Sequence, residues 1–259
     1  MVFPKAAVKK IEQPYASYGG RFKENDPSFY RRVSERLRHK SRAVTMWDYE
    51  RLVLQEFPEI YKVKCINHTQ IIEHHISSTV TYTDNELKPG YALVVPIPSL
   101  HNKNAYDPLR PNTSLGVLYD IKQYLMGKIS PHVNLDVRNP RFEEIQLEFN
   151  VHYLTDDNAL YTKQLKKDIE QFMAPWAFDP NTDIEFGGKI SKSALINFIE
   201  ERHYVNYISC VKMNQIVNHK IIESNIDEAV ATTSRSVFVS VESGDKEYGH
   251  KINQGDCEC

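Results

Sequence analysis

The sequence predicts an α+β fold, and three features carry that reading. Helical and strand periodicities are mixed along the chain without the strict β-α-β succession of a doubly wound sheet. Capping residues stand just ahead of several helical stripes, and period-two runs follow some of those stripes directly. The 259 residues, 41% hydrophobic and 11% aromatic with 15 tyrosines, suffice to bury a sizeable core in one large domain or two small ones.

Residues 1–28 carry scattered Pro and Tyr and the Gly19-Gly20 pair without periodicity, and read as an extended arm. Asp26-Pro27 supplies an N-cap and a first-turn proline, and Phe29, Val33 and Leu37 recur every four residues, so a short amphipathic helix is expected. Its outer face is basic, with Arg31, Arg32, Arg36, Arg38, Lys40 and Arg42 set against Glu35. Thr45 caps a second helix in a box with Asp48, and Tyr49, Leu52, Val53 and Phe57 form its inner stripe up to Pro58. Residues 61–66 then alternate as a half-buried strand does.

Residues 67–90 are polar and turn-rich around Asp84-Asn85 and Pro89-Gly90, with a β-prone patch at 77–82. The near-continuous apolar run 91–97 reads as a strand covered on both faces, its end confined to a sheet edge by Pro96 and Pro98. Asn112-Thr113-Ser114 caps a third helix with Leu118, Ile121 and Leu125 on one face and Gly127 at its close. Residues 133–137 and 145–153 alternate as two strands separated by the Asn139-Pro140 turn.

A fourth helix starts near Asp156-Asp157 and presents Tyr161, Leu165, Ile169, Phe172 and Met173 on one side. Gly187-Gly188 precedes Ser191, which caps a fifth with Leu195, Phe198 and Ile199 inward, and strands follow at 205–211 and 237–241. The chain thus divides into the arm 1–28, a first α+β module 29–139, a second module 140–242 and a flexible tail 243–259. Cap, helix and strand over 45–65 echo the same order over 191–210, which suggests distantly related halves.

With 32 basic and 34 acidic side chains the formal charge is -2, so no field of the whole molecule draws it to nucleic acid or anionic lipid. No run reaches the ~18 apolar residues of a membrane span, and the first residues lack the apolar core of a secretory signal, so a soluble chain not exported by the general route is expected. Four cysteines are too few and too scattered for a disulfide framework, a reducing compartment is the simpler assumption, and Cys65 and Cys210 read as small buried hydrophobes. Dinucleotide, P-loop, zincin and hydrolase signatures are missing, so no cofactor and no catalytic residue is assigned.

Several constellations deserve weighing one by one. Glu73-His74-His75 with His68 offers metal-ligand chemistry, but neighbours on an extended segment point to opposite faces, and a solvated loop is the simpler reading. Asp256-Cys257-Glu258-Cys259 gives two thiolates near a chain end, a poor site without partners. Helix capping accounts for Asp156-Asp157, solvation for Glu143-Glu144, and a turn for Gly187-Gly188. The basic face of Arg31, Arg32, Arg36, Arg38, Lys40 and Arg42 is the strongest local charge feature, open to a protein partner, to phosphates or to solvent.

Residues 32–40 (RVSERLRHK), 42–45 (RAVT), 47–50 (WDYE) and 57–66 (FPEIYKVKCI), with the blocks at 137–145, 172–176, 186–190 and 205–208, resemble the baseplate J-like family. These are wedge proteins of contractile phage tails and related bacterial contractile injection systems, and the resemblance covers roughly residues 29–213. It implies a structural role without catalytic residues, with other wedge subunits and hub or spike proteins as partners in a sixfold ring, and help in coupling target contact to sheath contraction. It also implies assembly in the bacterial cytoplasm and residence in the baseplate of a tail-like particle or virion. Family members usually carry a longer region ahead of the RVSERL block, so the chain looks like the C-terminal part of a longer wedge protein or a reduced member. Two competing readings are a nucleic-acid-binding module using the basic helix 29–42, and a metal-dependent hydrolase using His68, His74 or Glu73.

Overall fold

The computed structural model describes residues 24–76, 79–99, 107–154, 158–179, 182–241 and 248–255, without the side chains of 76, 79 and 80. Contacts divide the chain into Met1–Lys40 and Ser41–Cys259. The Gly19-Gly20 pair and most of the expected arm lie outside the described residues.

In the first unit, helix α1 (Asp26–His39) begins inside the stretch read as an arm. Asn25, not Asp26, is its N-cap: the Asn25 side chain accepts the backbone N–H of Ser28 at 2.9 Å, which leaves Asp26 and Pro27 in the first turn. Lys40 closes the helix in the left-handed region at φ 50°. Phe29 and Leu37, from the expected apolar stripe, are 44% and 69% exposed, while Val33 between them is half-buried.

In the second unit, α2 (Met46–Glu56) opens on the capping box of Thr45 and Asp48 and buries Tyr49, Leu52 and Val53. It leads into β1 (Ile60–Asn67) and a hairpin of β2 (Gln70–Ile76) and β3 (Thr79–Asn85), registered from Gln70 opposite Asn85 to Ile76 opposite Thr79. The turn-rich reading is therefore corrected over β2 and at Asp84-Asn85, while β3 overlaps the β-prone patch at 77–82. Glu73, His74 and His75 are all exposed, so neither strand shows an apolar alternation, while the β-branched content still favours extended backbone. The turn expected at Pro89-Gly90 is present, with Gly90 at φ 83°, and another falls at His68 (φ 55°) in place of Asp84-Asn85.

Strand β4 (Tyr91–Pro98) is the centre of the first sheet, antiparallel to β1 and parallel to β5 (Asn134–Val137). Helix α3 (Leu115–Met126), capped by Ser114, makes the crossover and buries Leu118, Ile121 and Leu125. Ala92 and Val94 join the cluster under α2 and α3; Leu93, Val95 and Ile97 join two smaller clusters with Ile71, Phe186, Ile184 and Val237. Both faces are thus covered, which is why the run reads as continuously apolar. Pro96 and Pro98 lie beyond Val94, the last position registered with β5, so they remove no ladder bond on that side.

The second sheet is built on β6 (Arg141–Tyr153), with β8 (Val205–Val217) antiparallel on one flank and β9 (Lys220–Glu223) beyond it. On the other flank two short strands lie end to end, both parallel to β6. Strand β11 (Ser236–Ser240) covers positions 141–145, and β12 (Lys251–Gln254) covers 148–151. Helices α4 (Asn158–Met173) and α5 (Lys192–Glu200) bury Leu165, Ile169, Met173, Leu195 and Ile199 against Ile145, Leu147 and Phe149. A two-stranded pair, β7 (Lys189–Ser191) with β10 (Glu228–Val230), completes the mixed α+β architecture.

The tail expected over 243–259 is also corrected in part. At the gap between β11 and β12 the buried His250 ring takes the place of a strand: its Nδ1 accepts the Leu147 N–H at 3.0 Å. Nearby, Gln146 Nε2 donates to the carbonyl of Tyr248 at 2.9 Å. KINQ is too short and polar to announce itself as a strand.

The two sheets share a local arrangement, a central strand with an antiparallel neighbour that follows a capped helix and a parallel neighbour on the other side. Their chain order differs, because β1 precedes its central strand and β8 follows its own. Cys65 is buried as expected, whereas Cys210 is exposed, disulfide-bonded and at φ 53° in a bulge of β8, so it is not a small core residue.

Candidate functional site

The basic residues singled out from the sequence do not form one face. At about 100° per residue, Arg31 and Arg38 lie on one side of α1 with Glu35, while Arg32 and Arg36 lie beside Phe29. Arg32 is engaged, with its Nη2 2.9 Å from Glu24 and its guanidinium over the Phe29 ring at 5.4 Å. Arg31, Arg36, Arg38 and Lys40 are exposed on the first unit, and Arg42 is exposed on the second.

The histidine constellation is dispersed. His74 and His75 are successive residues of β2, and Glu73 accepts Arg138 Nη2 at 3.0 Å. The backbone of His68 turns the chain, its N–H donating to Tyr91 and its carbonyl accepting from Lys88, both at 2.8 Å. Among the described residues no group of three or more His, Cys, Asp or Glu is placed to hold a metal. Asp156-Asp157 and the Asp256-Cys257-Glu258-Cys259 segment lie outside the described residues.

The most elaborate polar structure lies where the segment 139–144 enters β6. Glu143, read as solvated, is instead fully buried. Its carboxylate accepts Ser236 Oγ at 2.5 Å, Gln215 Nε2 at 2.6 Å, the Thr232 N–H at 3.0 Å and the Thr232 hydroxyl. Buried charge is tolerated when hydrogen bonds replace its water, and these donors come from β8, β11 and the turn before β11. That turn is thereby fixed, and it carries Arg235 onto Asp84 of β3, with Nε and Nη2 at 2.5 and 2.9 Å. The Ser234 N–H adds a bond to Glu86 at 2.6 Å. One buried carboxylate therefore sets the loop that ties the hairpin to the second sheet.

Above this network opens a cleft of about 750 Å³, walled by Tyr82 of β3, the 107–112 segment, residues 140–144, the Asn218-His219 turn and Arg235. Glu144 is not merely solvated: it holds Arg110 Nη2 at 2.6 Å, and Asp107 holds Arg110 Nη1 at 2.7 Å. Asn218 and His219 take φ 51° and 56° in the tight β8–β9 turn, which directs the histidine to the rim. Arg141, half-buried in the wall, has no hydrogen-bond or ion-pair partner for its guanidinium among the described residues.

Sequence reasoning missed this site for an identifiable reason. Glu143 stands in phase with Ile145, Leu147, Phe149 and Val151, all of which point to the core, so the alternation extended one step backward would have placed it inside. The arginines come from positions more than a hundred residues apart in the extreme case, and no local pattern joins them.

A family model described as "Baseplate protein PVC11-like" matches residues 1–243. The chain is also similar to a solved structure, the anti-feeding prophage (AFP) baseplate determined by cryo-electron microscopy with 6-fold symmetrisation. That similarity has 20% identity and a TM-score of 0.59, covering 93% of this chain and 47% of the other, so the chain spans about half the length of its structural relative. No curated protein matches the chain.

Proposed function

The chain belongs to the PVC11-like baseplate protein family, and from that premise we propose that this structural component of a contractile injection system baseplate is a wedge subunit. In this reading it works by non-covalent association and makes or breaks no bond. It pairs with other wedge subunits and with hub or spike proteins in a sixfold ring, helps couple target contact to sheath contraction, and is assembled in the bacterial cytoplasm before residing in the particle. The observation that carries the reading is the likeness of nearly the whole chain, 93%, to part of a baseplate chain. The baseplate J-like motifs agree with it. So does the use made of the carboxylates at and near the cleft: Asp107 and Glu144 in its lining, and Asp84 and Glu143 outside it, are each occupied in bonds within the fold.

A ring subunit needs surfaces that neighbours can cover. Helix α1 offers candidates, with Phe29, Tyr30 and Leu37 exposed and Arg31, Arg32, Arg36, Arg38 and Lys40 spread around it, and Arg42 is a separate exposed cation on the second unit. Combined Arg36→Glu, Arg38→Glu and Lys40→Glu substitutions are expected to abolish co-purification with partner baseplate subunits while leaving the circular dichroism and melting of the chain unchanged. Undiminished co-purification would refute the docking role of α1.

A further inference from the structure

We propose that the cleft around Arg141 is a docking site for an acidic peptide segment of a neighbouring protein, in which an Asp or Glu carboxylate meets the Arg141 guanidinium. The charges of the cleft are unevenly shared. Arg110 is held by two carboxylates, Asp107 and Glu144, and Arg235 by Asp84, whose side chain is 1% exposed. Arg141 has none among the described residues, although it is half-buried in the same wall. Arg141 lines the cleft without an anion among the described residues, and its forked donors are of the kind that a carboxylate satisfies with two parallel bonds.

The remaining lining selects the class of ligand. Tyr82 and Phe142 offer apolar surface for a side chain, while Asn112 and Asn218 carry amides able to bond a peptide backbone. A volume of about 750 Å³ lies within the range of ligand clefts and admits a short extended segment. Asp107 and Glu144 line the same cleft, so a polymer carrying a phosphate at every residue would bring further negative charge against them. A peptide bearing one or two carboxylates avoids that repulsion. This inference uses no residue of α1 and stands independently of the wedge reading.

The test is to pan a random dodecapeptide library against the full chain, counter-select on Arg141→Ala, and measure the enriched peptides in solution. Enriched peptides are expected to share an Asp or Glu, to bind Arg141→Ala about tenfold or more weakly, and to bind Arg141→Lys with intermediate strength. Replacing that acid by its amide in the peptide should cause the same loss on the unaltered protein, an arm that does not depend on how the variants fold. Failure to enrich acidic peptides, binding indifferent to Arg141 or to the peptide acid, or preferential competition by a short single-stranded DNA would each overturn the proposal.

Discussion

Replacing Glu143 with alanine removes the acceptor shared by Ser236, Gln215 and both donors of Thr232. Each bond to a charged acceptor contributes about 1.5–3 kcal/mol net, so the bonds lost amount to roughly 6–12 kcal/mol. Against this, deletion recovers the several kcal/mol spent in taking a carboxylate out of water. The balance is a destabilisation of about 3–5 kcal/mol, the range found when one member of a buried charged set is removed. At about 2–4 °C per kcal/mol for a chain of this size, Tm should fall by roughly 10 °C.

Glu143→Gln keeps the volume and separates charge from shape. Its amide oxygen can still accept from Gln215 Nε2, which sits 2.6 Å from the carboxylate, while its NH2 faces the Thr232 and Ser236 hydroxyls, which must turn from donating to accepting. The expected cost is about 1–3 kcal/mol, since charge-assisted bonds become neutral ones and two hydroxyls must reverse. Urea and thermal melts of the full chain, with the exposed Glu59→Gln as control, measure both values. Glu143→Gln within about 0.5 kcal/mol of the unaltered chain would refute the argument that the donors are arranged around a charge.

Burial pushes His250 down to about 3, with Lys166 adding to the effect. Its Nδ1 accepts from Leu147, and its Nε2–H donates to Ser240 Oγ at 2.8 Å, which donates onward to the Val241 carbonyl at 3.1 Å, so the ring is held neutral. The unfolded ring binds its proton near 6.5, so this contribution is complete above that pH and declines as pH falls toward about 3, by about 1.4 kcal/mol per pH unit. Urea melts between pH 7 and 4 should show a shallower decline for His250→Gln; an identical slope would remove the ring from the account. Burial, followed by the Glu50 carboxylate, pushes the Cys65 thiol up to about 12. Residue-resolved mass spectrometry should therefore find Cys65 unmodified by N-ethylmaleimide in the native chain and modified in urea, and equal rates in the two states would contradict its burial.

Helix α2 was legible because its signal is local: Thr45 and Asp48 bond each other's backbone whatever lies farther along the chain. Strand β4 was legible because a run apolar on both faces requires cover on both faces. Of the β2–β3 hairpin only the β-prone patch at 77–82 showed, since exposed strands bear no alternation, and β7, β9, β10 and β12, at three or four residues, were too short to set a period. For α1 the four-residue spacing of Phe29, Val33 and Leu37 was read correctly as helical, but the same spacing says nothing about what covers it. The cleft depends on tertiary closure between β3, the entry to β6 and the loop before β11, and only Glu143 carried a local sign of its place.

The division of one flank of β6 between two short strands has a mechanical side. Local loosening of this edge meets at β12 a ladder of only four registered residues and the imidazole behind it. Those yield as a separate step, and the five-residue ladder of β11, pinned by Ser236 to the buried carboxylate, remains in place. An edge built in two pieces opens in stages rather than tearing the sheet at once.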